Sequence, residues 1–199
     1  EILKEFFGYS DFRGNQKQII QSVLAKKDTI VLMPTGGGKS VCYQVPAMIF
    51  EGLTLVISPL ISLMKDQVDA LNANGIPAAF LNSSQSQSEQ RFIYSQIQSG
   101  KIKLLYIAPE RLYRGDYPLI DFLKTVNLSL VAIDEAHCIS QWGYDFRPPY
   151  LRIADLRRGD ILGRELALIP LRGEGVGVRE CELRTVEQGG DRHRATGVD

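Results

Sequence analysis

The chain has 199 residues, 44% of them hydrophobic, and its 23 basic residues balance 23 acidic ones. This length allows one domain of ordinary size with an appendage, and the apolar fraction is ample for a buried core. No apolar run approaches the ~20 residues that span a bilayer, and no signal segment opens the chain, so the sequence predicts a soluble cytoplasmic protein. Because the net charge is zero, any polyanion must be held by locally placed charge.

The three cysteines are too widely separated to form a zinc site with the two histidines. Cys42, Cys138 and Cys181 are therefore predicted to be reduced thiols with a structural role.

The N-terminal part of the chain predicts two helices, at 1–9 and at Gln16–Ala25. Between them, Tyr9, Arg13 and Gln16 form a group that suits adenine. A glutamine amide offers a donor and an acceptor to the base edge, a tyrosine ring stacks on its face, and an arginine packs against it. Taken alone, the same residues are also compatible with an ordinary helix start. Their position just upstream of a phosphate loop favours adenine.

A glycine-rich loop follows the apolar strand Thr29–Leu32 and precedes another helix. Glycines let backbone N–H groups close around an anion, a lysine reaches the β and γ phosphates, and a hydroxyl at the helix start can bind magnesium. The general phosphate-loop pattern has glycine where this chain has Met33. The alternative is a glycine-rich turn with an unrelated lysine. The residues of the predicted nucleotide loop are Thr35, Gly36, Gly37, Gly38, Lys39 and Ser40.

Strands and helices then alternate along the chain. Helices are predicted at 41–50, where Pro46 kinks or shortens the helix, at 60–71 and at 89–98, and a further helix can begin at Pro109. Strands are predicted at 53–57, 77–81, 103–107 and 128–133. This alternation predicts an α/β fold with a parallel, doubly wound sheet and ligand sites beyond the carboxyl ends of its strands.

Two adjacent acids follow the last of these strands. Asp134 stands where a magnesium-bound carboxylate is needed, and Glu135 can orient or deprotonate an attacking water. Alternatively, the acids cap a helix. His137 is either a satisfied polar residue or a link between nucleotide state and the neighbouring loops.

An aromatic-rich stretch comes next, with Trp142, Tyr144 and Phe146 alternating with polar residues and glycine. Aromatic faces stack on unpaired bases, and an adjacent arginine adds a phosphate or cation-π contact. The pattern favours an exposed loop that binds single-stranded nucleic acid, although a strand with aromatics in the core is the alternative. Gln141 and Arg147 flank the aromatics.

Five stretches together resemble the RecQ family of ATP-dependent DNA helicases: 9–16, 33–40, 58–67, 106–112 and 134–148. The resemblance implies a first RecA-like motor domain that is a P-loop NTPase. It implies a protein that hydrolyses ATP with Mg²⁺ and moves 3′ to 5′ on single-stranded DNA, unwinding duplex DNA in repair and recombination. It places such a protein at the bacterial nucleoid or in a eukaryotic nucleus.

The resemblance also implies a role for individual residues. Those implied to bind and hydrolyse ATP are Tyr9, Arg13, Gln16, Thr35, Gly36, Gly37, Gly38, Lys39, Ser40, Asp134, Glu135 and His137, with Ser40 and Asp134 as magnesium ligands. Those implied to contact DNA are Ser58, Pro59, Arg111, Gln141, Trp142, Tyr144, Phe146 and Arg147. Capping of helices is the ordinary alternative for the first three. Tyr144 departs from the family pattern, which usually has histidine there, so stacking is retained but an imidazole contact is not.

The composition changes after residue 158, and 159–199 has no aromatic residue and no lysine. We therefore predict a motor domain at 1–158 that lacks its final strands, and a poorly packed, non-native tail at 159–199 that arose from a frame change or a truncated gene. The second RecA-like domain, which supplies an arginine to the γ-phosphate in this family, has no room in the chain. Two alternatives stay open: a nucleotide or DNA-binding remnant without activity, and an RNA helicase.

Overall fold

The computed structural model describes residues 1–34, 36–82, 84–112, 119–134, 166–172 and 177–180, the last two ranges by their backbone alone. The elements in chain order are α1 (Ile2–Phe7), α2 (Gln16–Leu24), β1 (Thr29–Met33), α3 (Val41–Ile49), β2 (Leu53–Ile57), α4 (Ile61–Ala73), β3 (Ala78–Leu81), α5 (Gln87–Gln98), β4 (Leu104–Ile107), a 3-10 helix (Pro109–Leu112), α6 (Leu119–Leu123), β5 (Leu128–Ile133), β6 (Leu166–Arg172) and β7 (Gly177–Glu180).

The described strands form one sheet of seven, in the order β3-β4-β2-β5-β6-β1-β7. The six strands from β3 to β1 pair in parallel, and β7 pairs with β1 in the antiparallel direction. Parallel strands need crossover connections, which helices provide here. The α/β fold with a mostly parallel sheet and flanking helices is confirmed.

Where side chains are described, both faces of the sheet are buried, and alternate residues of β2 and β4 pack on opposite sides. On β4, Leu104 and Tyr106 face one core while Leu105 and Ile107 face the other. The first core also contains buried residues of α2, α3 and α4. The second contains Ile97 from α5 and both ends of α6. The polar loops at the strand ends are therefore the part of the domain that is available to ligands.

Helix α3 passes through Pro46 and ends at Ile49, one residue before its predicted end. A proline removes one hydrogen bond of the helix, and burial of seven of the nine residues compensates for that loss. Cys42 in this helix is 1% exposed, and burial raises the pKa of its thiol to about 12. It is thus a structural thiol, as predicted. Cys138 and Cys181 lie outside the described residues.

The C-terminal segment also differs from expectation, because it contributes two strands where the sequence led us to expect that final strands were missing. The backbone of β6 lies between β5 and β1, and β7 borders β1 on its other side. The apolar run Leu166–Leu171 suits such an inner position. The division into 1–158 and 159–199 and the origin of the tail stay predictions.

Among the described helices, none is long and apolar enough to cross a membrane.

Candidate nucleotide site

The glycine-rich loop leaves the carboxyl end of β1 and turns sharply into α3. Gly36 and Gly38 have φ values of 78° and 74°, in the left-handed region that glycine adopts without strain. The Gly37 N–H donates to the Pro34 carbonyl at 3.1 Å. Within the described part of the chain, no backbone acceptor is assigned to the N–H groups of Gly36, Gly38 and Ser40. The loop therefore offers several backbone donors to an anion. Thr35 lies outside the described residues.

Lys39 and Ser40 stand at the start of α3, and both side chains are half-buried. The Ser40 carbonyl accepts the helical hydrogen bond of the Gln44 N–H at 2.9 Å, so Ser40 is the residue from which the helix begins. The positive end of the helix dipole adds to the attraction for phosphate at this point.

Gln16 is 4% exposed, and its side chain is tied to the glycine-rich loop. Its Nε2 donates to the carbonyls of Gly38 at 3.0 Å and Gly37 at 3.3 Å, and its Oε1 accepts from the Arg13 N–H at 2.8 Å. The Arg13 guanidinium lies over the Tyr9 ring, 5.1 Å from its centroid. The structure thus brings the three predicted adenine residues together and links one of them directly to the phosphate loop.

Asp134 ends β5 at the same edge of the sheet. It is 5% exposed, and its N–H donates to the Ile57 carbonyl at 2.8 Å. Ser58 follows the end of the neighbouring strand β2, and its N–H donates to the Ile107 carbonyl at 2.9 Å. The ends of β2, β4 and β5 therefore converge, as the parallel sheet predicts. Glu135 and His137 lie outside the described residues.

Sequence reasoning did not single out a group of polar side chains that connects α3 with α4 and with β4. The Tyr43 hydroxyl donates to Gln67 Oε1 at 3.0 Å, and Gln44 Nε2 donates to the Tyr106 hydroxyl at 3.2 Å. The indication in the sequence was polar residues placed within two otherwise apolar elements, α3 and β4.

The pKa values of these two tyrosines depend on burial and on the charge of Asp134. Burial raises the pKa of Tyr43 well above its ordinary value, and the charges of Tyr106 and Asp134 raise it further. Burial also raises the pKa of Tyr106 to about 12, and Asp134 adds to this shift. Both hydroxyls therefore stay protonated at neutral pH, and each remains a hydrogen-bond donor beside the carboxylate.

The oxygens of Ser40 and Asp134 suit a magnesium ion, because Mg²⁺ prefers oxygen ligands and keeps several waters or phosphate oxygens. Ser40 begins α3 after the loop that follows β1, and Asp134 follows β5, so both lie at the carboxyl ends of strands in one parallel sheet. Among the described residues, no group of three or more His, Cys, Asp or Glu side chains could hold a metal by itself.

Only some of the residues predicted to contact DNA lie in the part of the chain that the structure describes. Ser58 is 1% exposed and its hydroxyl has no partner among the described residues, while Pro59 is half-buried and Leu60 is exposed. The guanidinium of Arg111 donates to Gln90 Oε1 and, at 3.5 Å, to the Tyr94 hydroxyl. Gln141, Trp142, Tyr144, Phe146 and Arg147 lie outside the described residues.

The family comparison agrees with this geometry. Residues 13–165 match the model of the DEAD/DEAH box helicases. An ATP-dependent DNA helicase RecQ of Pasteurella multocida is 54% identical over 157 residues, which are 79% of this chain and 24% of that protein. The RecQ helicase of Bacillus subtilis is 54% identical over 166 residues, which are 83% of this chain and 27% of that protein. The chain thus spans about a quarter of the length of these relatives.

Solved structures show the same fold at lower identity. A hypothetical ATP-dependent RNA helicase from Sulfolobus tokodaii has a TM-score of 0.56 at 20% identity, over 85% of this chain and 48% of that one. The DUF1998 helicase MrfA has a TM-score of 0.65 at 20% identity, over 84% of this chain and 27% of that one. At these identities the likeness shows the helicase RecA-like fold alone. The family match implies ATP binding. It shows that this chain belongs to the DEAD/DEAH box helicases, and the relatives show that it belongs to the RecQ family of ATP-dependent DNA helicases.

Proposed function

We propose that this chain is the first motor domain of a RecQ-type helicase that couples hydrolysis of ATP with Mg²⁺ to 3′ to 5′ movement on single-stranded DNA. The observation that carries the proposal is the position of Ser40 and Asp134. They follow the carboxyl ends of β1 and β5, which run parallel in the same sheet, and both affect the pKa of the same buried tyrosine. A phosphate loop and an acidic strand end that meet in this way are what phosphoryl transfer needs.

In this proposal the chain's own residues bind and orient the nucleotide. Backbone N–H groups of Gly36 and Gly38 and the ammonium of Lys39 hold the phosphates. Ser40 and Asp134 would hold Mg²⁺, which neutralises charge on the phosphate oxygens. Glu135 would take a proton from the attacking water or orient it.

The adenine end of the nucleotide is assigned to the group that contacts the glycine-rich loop. Tyr9 and Arg13 stack against each other on the surface, where they would receive the base. Gln16 would bind the base edge after exchanging its present contacts with Gly37 and Gly38. His137 would link the state of the phosphates to neighbouring loops.

DNA is assigned to the loops that follow the strand ends. Ser58, Pro59 and Arg111 belong to two such loops, where hydroxyls and guanidinium groups suit backbone phosphates. The buried Ser58 side chain would have to become accessible, whereas Arg111 has a partly exposed side chain. The stacking surface for unpaired bases is assigned to Trp142, Tyr144 and Phe146, with Gln141 and Arg147 beside them.

Unwinding of duplex DNA is proposed for the longer family proteins, in which a second motor domain completes the site. An arginine contributed to the γ-phosphate is worth about a thousandfold or more in NTPases that use one. The 199-residue chain is therefore expected to bind nucleotide and to hydrolyse it slowly by itself.

The test is ATP hydrolysis and nucleotide binding by the purified chain, with and without single-stranded DNA or RNA. We expect stimulation by DNA, and its loss in both Lys39→Ala and Glu135→Gln. Lys101→Ala is the matched control, because Lys101 is an exposed lysine just after α5 and its removal changes the net charge equally.

Each result has a distinct meaning. Nucleotide binding without turnover or stimulation would contradict catalysis by this chain and support the remnant alternative. A preference for RNA would contradict the assignment to DNA. Unchanged turnover in Lys39→Ala would contradict the assignment of the phosphate site.

A further inference from the structure

Ser58 carries a buried hydroxyl at the edge of the sheet where the candidate nucleotide site lies. The residue is 1% exposed, and its Oγ has no hydrogen-bond partner among the described residues. A buried hydroxyl that forms no hydrogen bond destabilises the folded state, because it has given up its bonds to water. Alanine would fill nearly the same space without this penalty. A serine at this position therefore needs an explanation other than stability.

Backbone hydrogen bonds place Ser58 beside Asp134. Ile57 is paired with Ile133 in the register of β2 and β5, and the Asp134 N–H donates to the Ile57 carbonyl at 2.8 Å. Ser58 and Asp134 directly follow this pair, and neighbouring strands of a sheet lie about 4.8 Å apart. On the other side, the Ser58 N–H donates to the Ile107 carbonyl at 2.9 Å. Ser58 is thus held in register between the ends of β4 and β5.

The alternation of side chains along these strands shows which face of the sheet the two residues share. Ile57 and Ile133 both belong to the core that α5 and α6 cover. Ser58 and Asp134 come one residue later, so they lie on the opposite face. The core on that face contains Cys42 of α3, the helix that follows the phosphate loop. The unpartnered hydroxyl therefore lies next to the acidic residue and on the same face of the sheet as α3.

We propose that Ser58 is a positioning residue whose hydroxyl, by rotation about the Cα–Cβ bond, donates to the Asp134 carboxylate and orients it for Mg²⁺. This inference rests on the proposed function. It gives the hydroxyl a partner inside the protein, so the Ser58 side chain need not become accessible to DNA. Ser58 does not itself bind the ion. Carboxylates that bind a metal are in turn hydrogen-bonded, and loss of such a partner typically costs about 10- to 100-fold in metal affinity or activity.

The experiment uses the full chain and the variant Ser58→Ala, which removes only the hydroxyl. The dissociation constant of a fluorescent ATP analogue is measured in Mg²⁺ and in EDTA, without DNA. We expect affinity in Mg²⁺ to fall by about tenfold while affinity in EDTA is unchanged, because the phosphate loop is not altered. Thermal unfolding without nucleotide should give a Tm at least as high as that of the unmodified chain, since the variant loses an unsatisfied buried group.

Thr54→Val is the matched control. Thr54 lies on β2 as well, and it is fully buried with an Oγ that has no partner among the described residues. Its neighbours in register are Leu104 and Leu130 rather than an acidic residue. Removal of its hydroxyl should therefore change neither dissociation constant.

Failure of the inference and failure of the proposed function give different results. If the unmodified chain binds nucleotide more tightly in Mg²⁺ but Ser58→Ala does so equally, or loses affinity equally in both conditions, the positioning role is wrong and the proposed metal site stands. A lower Tm for Ser58→Ala would show that the hydroxyl is a structural partner and would also overturn the role. If the unmodified chain gains no affinity from Mg²⁺, the proposed metal site is wrong and the inference falls with it.

Binding of single-stranded DNA, measured separately, distinguishes the positioning role from a direct contact with DNA. Ser58→Ala should bind DNA as tightly as the unmodified chain in the absence of nucleotide. Weaker binding of DNA together with an unchanged response to Mg²⁺ would assign the hydroxyl to DNA and contradict the inference.

Discussion

Gln16 shows at the scale of single residues how the phosphate loop and the predicted adenine group depend on each other. Its amide reaches the carbonyls of Gly37 and Gly38, and this approach is possible only because Gly38 has no Cβ. A Cβ built at Gly38 would collide with the Nε2 atom of Gln16. The third glycine of the loop therefore serves two purposes, a positive φ and room for the glutamine.

We predict that Gly38→Ala lowers nucleotide affinity at least tenfold. An alanine at a φ of 74° costs roughly 1–2 kcal/mol, and its Cβ would collide with the Gln16 side chain, so the loop would leave the conformation that presents its backbone N–H groups to phosphate. Equilibrium binding of a fluorescent ATP analogue measures the effect.

Gly75→Ala is the matched control for this prediction. Gly75 has a φ of 80°, but nothing lies within 4 Å of a Cβ built there. It should therefore lower stability without a specific loss of nucleotide affinity. A Gly38→Ala variant that binds nucleotide as tightly as the unmodified chain would contradict the role given to the Gln16 contact.

Residue types at the candidate site could be predicted from the sequence, but most of their contacts could not. A phosphate site is predicted by the types and the order along the chain of the glycines, Lys39, Ser40 and Asp134. The contact between Tyr43 and Gln67 joins residues 24 positions apart in different helices, and no local pattern requires it. Likewise, nothing local indicates that the Ser58 side chain is buried.

At the scale of elements, α5 begins with a capping box that stabilises its first turn. The Ser86 side chain accepts from the Glu89 N–H at 3.3 Å, and the Ser86 N–H donates to Glu89 Oε2 at 2.7 Å. The hydrogen bond from the Ser86 hydroxyl lowers the pKa of Glu89, and the bond from the Ser86 backbone lowers it further. The ionised form of Glu89 is thus the one that the fold favours.

We predict that Ser86→Ala destabilises the chain at neutral pH by about 1 kcal/mol, the usual cost of losing a serine N-cap. A carboxyl whose pKa is lowered on folding stabilises the native state above its unfolded pKa, 4.5 here, and loses that effect as the pH falls through the folded pKa. The difference between variant and unmodified chain should therefore shrink below pH 4.5. Urea unfolding at pH 7 and pH 3 measures it.

Ser95→Ala is the control within the same helix. Ser95 is exposed, and its hydroxyl donates only to the Phe92 carbonyl one turn earlier. It should show no comparable dependence on pH. An equal difference for Ser86→Ala at both pH values would show that Glu89 has no part in the cap.

The strands were easier to predict than the helix ends. β2 and β5 have the predicted bounds, because each is an apolar run buried on both sides and closed by polar residues. α5 begins at Gln87, two residues before the predicted start, although the capping pattern of Ser86 and Glu89 is visible in the sequence. α6 was not predicted at all, because five residues are too few to show a helical period.

At the scale of the whole molecule, the strand that carries the phosphate loop depends on the C-terminal segment. β1 pairs with β6 on one side and β7 on the other, and the described residues give it no further partner strand. In the parallel pair, Pro170 lies opposite Val31 and has no N–H to donate. Pro170 thus contributes no donor to the hydrogen bonds of the sheet.

We predict that removal of residues 166–199 leaves β1 unprotected. Amide hydrogen exchange in Thr29–Met33 should become at least tenfold faster, because both strands that cover its backbone are lost. Nucleotide affinity should fall as well. Exchange measured by mass spectrometry, peptide by peptide, gives the result.

The control is a chain that ends at Glu180, because it keeps both β6 and β7. Equal protection of β1 in all three chains would contradict the pairing of β6 and β7. It would also support the prediction from composition that 159–199 is a non-native tail. The sequence could not decide this point, because an apolar run such as Leu166–Leu171 predicts a strand without saying where in a sheet it inserts.

Both strands that pair with β1 come late in the sequence, and this has a consequence for synthesis on the ribosome. Thr29 pairs with Leu168 and Glu180, so the nascent chain emerges with this strand long before either neighbour exists. Contacts so distant in sequence form slowly, and an apolar strand with open edges is prone to aggregate meanwhile. Biogenesis of the ATP-binding loop would therefore be the step of this protein that most needs a chaperone.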